Sequence, residues 1–139
     1  MSCLRLVALA LCPWLSLAVS AETNSPPAPT TLNWVLPVRS ARLSPGAVPS
    51  RALSLPGMTP LFLVGQDTTS LEWLSRHAQA LQELGANGLA VEVDDARALR
   101  RIQMTAPKLS IWPVSGDDIA ERLELEHYPV LITPTGLEQ

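Results

Sequence analysis

From residue 60 onward this sequence predicts an α/β domain: a small mixed sheet of about four or five strands flanked by helices. Three observations carry that expectation. Short apolar runs at 61–64, 89–93 and 130–132 have the length and β-branched content of buried strands. Segments with helical apolar spacing lie between them, and strand, helix, strand at this distance makes a crossover that leaves its two strands parallel. The turn signal Pro134-Thr135-Gly136 then follows a strand directly, so 133–139 closes as a hairpin and at least one strand pair is antiparallel.

Each element has a local reason. Pro60 opens and Gly65 closes the first strand, 61–64. Thr69-Ser70-Leu71-Glu72 has capping-box spacing, with Thr69 accepting from the third helical N–H and Glu72 reaching back. The helix after it sets Leu71, Leu74, Ala78 and Leu81 on one stripe, with Trp73, Ala80 and Leu84 beside it. Gly85 and Asn87-Gly88 stop it. Residues 89–93 are the second strand. Asp94 is placed to cap a helix whose inner face is Ala96, Leu99 and Ile102, ending before Pro107. Residues 109–112 alternate as a third strand. Ser115 and Asp118 repeat the capping spacing before a helix carrying Ile119 and Leu123, and 130–132 is the last strong strand.

The first 59 residues differ in character. Residues 1–21 have the pattern of a secretory signal peptide: Arg5, an apolar run broken by Pro13, and Val19-Ser20-Ala21 before Glu22. The alternative is an uncleaved anchor. Either way the chain is expected to be exported and periplasmic. Both cysteines, Cys3 and Cys12, fall in this leader. The exported part therefore has no thiol for a disulfide, a nucleophile or a zinc site. Residues 22–59 read as a Pro-rich linker or arm. Proline lacks an N–H and fixes φ, which excludes a long helix or central strand there. Trp34, Leu36 and Val38 alternate as a candidate edge strand before the turn signal Ser44-Pro45-Gly46. Ten basic and thirteen acidic side chains give a net charge of −3. Losing Arg5 makes the balance more acidic, which argues against a general nucleic-acid grip.

Two resemblances add to this. Residues 61–139 resemble a thioredoxin-like domain, with 61–64 before the active-site helix, 89–93 as the next strand, and Tyr128-Pro129-Val130 as the cis-proline entry. Where such a domain carries Cys-x-x-Cys, this chain has Gln66-Asp67-Thr68-Thr69-Ser70, which cannot cycle between thiol and disulfide. More closely, the sequence is similar to a family of uncharacterised proteins of integrating conjugative elements. That similarity rests on Pro60-Leu61-Phe62-Leu63-Val64-Gly65-Gln66-Asp67, Ser70-Leu71-Glu72-Trp73-Leu74, Gly88-Leu89-Ala90-Val91, Ser115-Gly116-Asp117-Asp118 and His127-Tyr128-Pro129-Val130-Leu131-Ile132-Thr133. It implies a role in DNA transfer between bacteria, within the envelope part of a conjugative type IV secretion apparatus. It implies no catalytic activity. The layout is also similar to the pilin-assembly proteins of F-type conjugation systems, by analogy of fold.

Gln66, Asp67, Thr68 and Thr69 with Tyr128 and Pro129 form the expected partner-binding corner, and Trp34 either anchors the arm to the domain or meets a partner. Trp73 and Trp112 are assigned to the core. Asp67 sits on the turn where open α/β sheets bind ligands, or simply starts a helix. His77 is a packing-margin histidine or a base, and His127 lies in the connector before Tyr128. A two-histidine zinc site completed by Asp67 would require the fold to unite all three. Asp94-Asp95 and Asp117-Asp118 open helices, which capping explains. Arg97, Arg100 and Arg101 read as a solvated, salt-bridged face rather than a phosphate grip. Ser70, Ser110 and Ser115 lack a nucleophile elbow. The expectation is a non-catalytic exported protein with no cofactor and no metal. It acts by contacts with other proteins of the transfer apparatus, in or near a membrane-associated complex, without direct nucleic-acid binding. The rival is an enzyme or small-ligand binder using Asp67, His77 and His127.

Overall fold

The run Leu-Phe-Leu-Val-Gly becomes the central strand because every side chain on it finds a core. In the computed structural model, which describes residues 27–28 and 31–139, β3 (Leu61–Gly65) has Phe62, Leu63 and Val64 fully buried. The expected leader (1–21), both cysteines and nearly all of the 22–31 linker lie outside the described residues. Strand alternation sends Phe62 and Val64 to one face and Leu63 to the other.

On the first face, β3 leads through α1 (Thr68–Glu83) to β4 (Asn87–Glu92), then through α2 (Ala96–Thr105) to β5 (Ile111–Pro113). β3, β4 and β5 pair in parallel, as the crossover spacing requires. Trp73, Leu74, Leu81, Leu99 and Ile102 pack over Phe62, Val64, Ala90 and Ile111. α1 ends in a Schellman arrangement: Ala86 N–H donates to Leu81 O at 3.0 Å and Gly85 N–H to Gln82 O at 3.0 Å. Gly85 has φ +65°, the left-handed value that glycine adopts without a Cβ clash. Ala80 and Leu84, expected to flank the stripe, are exposed, and Trp112 is only half-buried.

The second face is assembled from shorter pieces: β1 (Ser44–Pro45), β2 (Arg51–Ala52), α3 (Asp117–Leu123), β6 (His127–Tyr128), β7 (Val130–Thr133) and β8 (Gly136–Glu138). The main sheet has six strands in the order β2-β8-β7-β3-β4-β5, and β1 pairs with β6 in a separate parallel ribbon. β7 runs antiparallel to β3, with Leu63 opposite Val130, and the β7–β8 hairpin forms as expected. The sixth strand, β2, comes from the Pro-rich segment. Leu43, Leu63, Val91, Ala120, Leu125, Tyr128 and Val130 fill this second core.

Residues 31–59, read from sequence as an arm, are a strap bound to the domain. Leu32 and Val38 enter the first core and Leu43 the second, with Val48, Leu53, Leu55 and Met58 packed beside it. The candidate edge strand through Trp34, Leu36 and Val38 is corrected: Asn33–Val35 is a 3₁₀ turn, and Val38 makes one isolated antiparallel bridge to Val93. Proline spacing breaks any longer ladder there.

Candidate functional site

In an open α/β sheet the carboxyl ends of the parallel strands are where a ligand sits. Here those ends are occupied by the chain itself. After β3, Asp67 caps α1: its Oδ2 accepts from Ser70 N–H at 3.0 Å and its Oδ1 from Ser70 Oγ at 2.7 Å. Ser70 Oγ in turn accepts from Gly65 N–H at 3.0 Å. The cap is therefore Asp67, and the expected Thr69–Glu72 capping box is corrected. Both Asp67 oxygens are engaged within the turn, so its place here is structural. A Cβ on Gly65 would lie 2.5 Å from the Tyr128 ring, so only glycine lets that ring close over the strand end.

Tyr128 is 3 % exposed. Burial, and then the charges of Asp67 and Glu92, push its hydroxyl up to about 12. The Tyr128–Pro129 peptide is cis, as is Leu36–Pro37.

Above the end of β4 the strap is held by a set of long-range contacts. Val38 and Val93 exchange backbone hydrogen bonds at 2.9 and 3.0 Å. Buried Ser40 donates its hydroxyl to Val91 O at 2.5 Å and accepts from Gly116 N–H at 2.9 Å. Arg39 bridges Glu92 at 3.0 Å and Asp94 at 2.7 Å. The Gln66 side chain, and then Arg39, hold the Asp94 carboxyl below its usual range, and Gln66 Oε1 also accepts from Asp94 N–H at 2.8 Å. Asp117 accepts from Arg42 N–H at 3.0 Å and Ala41 N–H at 3.3 Å. The paired carboxylates thus divide their work. Asp95, not Asp94, caps α2 through Ala98 N–H at 2.9 Å, while Asp94 and Asp117 fasten the strap. α3 is capped at Gly116 with no side-chain hydrogen bond, which corrects the Ser115–Asp118 box.

The corner residues separate by role. Thr68 and Thr69 are exposed on the first turn of α1, Gln66 and Asp67 are half-buried, and Tyr128 and Pro129 are buried. Thr69 and Pro129 share the wall of a groove of about 580 Å³ with Trp73, Arg76, His77 and Gln139. Gln139 Nε2 donates to Gly46 O at 2.8 Å and Pro129 O at 2.9 Å, clamping the strap to the corner. His77 donates through Nδ1 to Trp73 O at 2.8 Å and lies against the indole at 4.8 Å between centroids. That is the packing-margin role. Trp34 does not line the groove. It is 82 % exposed on the 3₁₀ turn, so Leu32 rather than Trp34 anchors the segment.

His127 faces Ser44, with Nδ1 3.1 Å from Ser44 Oγ and 3.2 Å from Ser44 O. It lines a different cavity from His77. Asp67, His77 and His127 are therefore not brought together, and among the described residues no three metal-binding side chains cluster. Ser40, Arg39 and Glu92 escaped the sequence reading. Their partners lie 51 to 76 residues away along the chain, beyond the reach of any local pattern.

What the fold and site define is a small α/β domain whose parallel-strand ends are closed by its own N-terminal segment. Residues 14–137 match the family described as "Protein of unknown function (DUF2859)", and the chain belongs to that family. No curated protein and no solved structure matches it.

Proposed function

We propose that this protein is a non-catalytic, exported, periplasmic component of an integrative conjugative element. It takes part in conjugative DNA transfer by contacts with other proteins of the secretion, pilus or mating apparatus. The observation that carries the non-catalytic reading is the strap. Its residues 38–42 occupy the strand ends where an α/β enzyme would hold substrate. The placement of Asp67 inside a cap, and of His77 and His127 in separate surroundings, counts against a small-ligand enzyme built on those three.

A thioredoxin-like core is supported by β3 lying between parallel β4 and antiparallel β7, with the hairpin strand β8 outside β7. On this reading the contact surface is the exposed first turn of α1 at Thr68 and Thr69, the adjoining groove, and the solvent-facing Trp34. Large exposed aromatics of this kind serve as interface anchors.

Proximity labelling from this chain in a transferring donor cell is the direct test. Labelled proteins should belong to the transfer apparatus, and recovery of none of them overturns the assignment. His77→Ala and His127→Ala should leave transfer frequency unchanged once melting temperature is matched. Loss of transfer at unchanged melting temperature would instead favour the enzyme reading.

A further inference from the structure

α2 carries an outward basic stripe that no carboxylate of the described residues pairs with. Arg97, Arg100, Arg101 and Met104 recur at helical spacing on one exposed face, while Ala98, Leu99 and Ile102 fill the core behind them. Met104 is 71 % exposed. Among the described residues, none of the three guanidinium groups has a carboxylate within salt-bridge distance, which corrects the expected salt-bridged face. Three like charges within about one turn repel one another, and an acidic surface with an apolar floor relieves both the repulsion and the exposed methionine.

The same chain carries such a surface. α3 and the turn after it expose Glu121, Glu124 and Glu126 around a groove floored by buried Ala120 and Leu125. Arg42 lies 3.8 Å from Glu121, and Arg122 is exposed nearby. Arg51 donates to Leu123 O and lines the adjoining cavity, but among the described residues Glu124 and Glu126 form no ion pair. α2 packs on one face of the sheet and α3 on the other, so stripe and groove of a single molecule cannot meet. Those of two molecules can.

We propose that the chain associates head to tail, the α2 arginine stripe of one copy seating on the Glu121, Glu124 and Glu126 groove of the next. The two sides of the contact differ, so repeated use builds a ring or a filament rather than a closed pair. A phosphate-bearing partner fits less well: three arginines on a net-acidic chain are few for it, and the complementary groove is already present. The inference goes beyond the proposed function and does not depend on which apparatus the chain serves.

Sedimentation velocity of the full chain tests it, in salt well below and well above about 0.1 M, where the screening length is roughly 10 Å. Concentration-dependent association is expected at low salt and its loss at high salt. The pair R100E/R101E and the pair E124K/E126K should each weaken association by about tenfold or more. Mixing the two variants should restore it, because each then offers the charge the other lacks, and restoration also shows that both are folded. Four outcomes overturn the proposal: a wild-type chain that stays monomeric at low salt, association unaffected by the arginine changes, a mixture that remains monomeric, or a monomer that instead binds anionic phospholipid vesicles through these arginines.

Discussion

The two faces of the sheet are built by different rules. The α1/α2 face comes mainly from one continuous stretch, 61–113, in which β3 and β4 are each followed by a helix that covers them, with Leu32, Val38 and Leu131 added from outside. Most of its contacts are near in sequence, and its helices advertise themselves by apolar spacing, a glycine stop after α1 and a proline after α2. The opposite face is pieced together from 43–58, α3 and the closing hairpin, with partners such as Ser44 and His127 lying 83 residues apart. Its elements are two to seven residues long and stand only because they pack on the first layer. A helical layer can be legible and nearly self-sufficient, whereas a strap layer exists only as tertiary structure.

That contrast predicts graded effects. Phe62→Ala, in the centre of the first core, should cost about 3–5 kcal/mol and lower one cooperative unfolding transition. Leu43→Ala, on the strap itself, should cost about 2 kcal/mol, the low end for a buried leucine, because the strap can settle into the gap. Calorimetry decides whether the layers are one unit: a second, earlier transition in Leu43→Ala alone would mean that the strap melts separately.

Ser40→Ala strands the Gly116 N–H and should cost about 1–3 kcal/mol. Hydrogen exchange should then quicken at Val38 and Val93 before it does at Phe62. If exchange at these sites does not change, the Ser40 hydroxyl is not what fastens the strap.

Tyr128 gives a pH handle on the seam between the faces. Its folded pKa is raised, so the stability it contributes is fully present below the ordinary value of about 10 and is lost as pH climbs through 10 toward about 12. With a single tyrosine in the chain, phenolate absorbance reports this directly. Tyr128→Phe should flatten the alkaline arm of the stability curve, and a midpoint near 10 would show the ring to be open to solvent. The smallest effect concerns Glu124, which holds a left-handed φ of 54° at the end of α3. Glu124→Gly should raise stability by up to about 1 kcal/mol, read from the melting midpoint.

The helix starts show where local reading reaches its limit. At all three the residue that caps differs from the one local spacing names, and the choice is decided elsewhere. Asp67 rather than Thr69 caps α1 because Ser70 is needed in the buried turn against Gly65. Asp95 caps α2 because Asp94 is drawn to Arg39 in the strap. Asp117 turns outward to the strap backbone, leaving α3 with a glycine cap. The corner around Asp67 and Tyr128 was locatable from the strand–turn–helix pattern and the Tyr-Pro step. The covering of the neighbouring β4 end by residues 38–42 was not, since a Pro-rich composition forbids long ladders but does not forbid packing.

By itself the sequence determined the apolar strands, the spacing that makes β3, β4 and β5 parallel, the closing hairpin and the lack of thiols after Cys12, because these follow from side-chain period and composition within a few residues. Only the tertiary structure decided that the arm is a layer of the domain, that Asp67, His77 and His127 stay apart, and that α2 arginines and α3 carboxylates look outward from opposite faces. Those outcomes depend on groups dozens of residues apart meeting in space, where desolvation and hydrogen-bond satisfaction override any local preference.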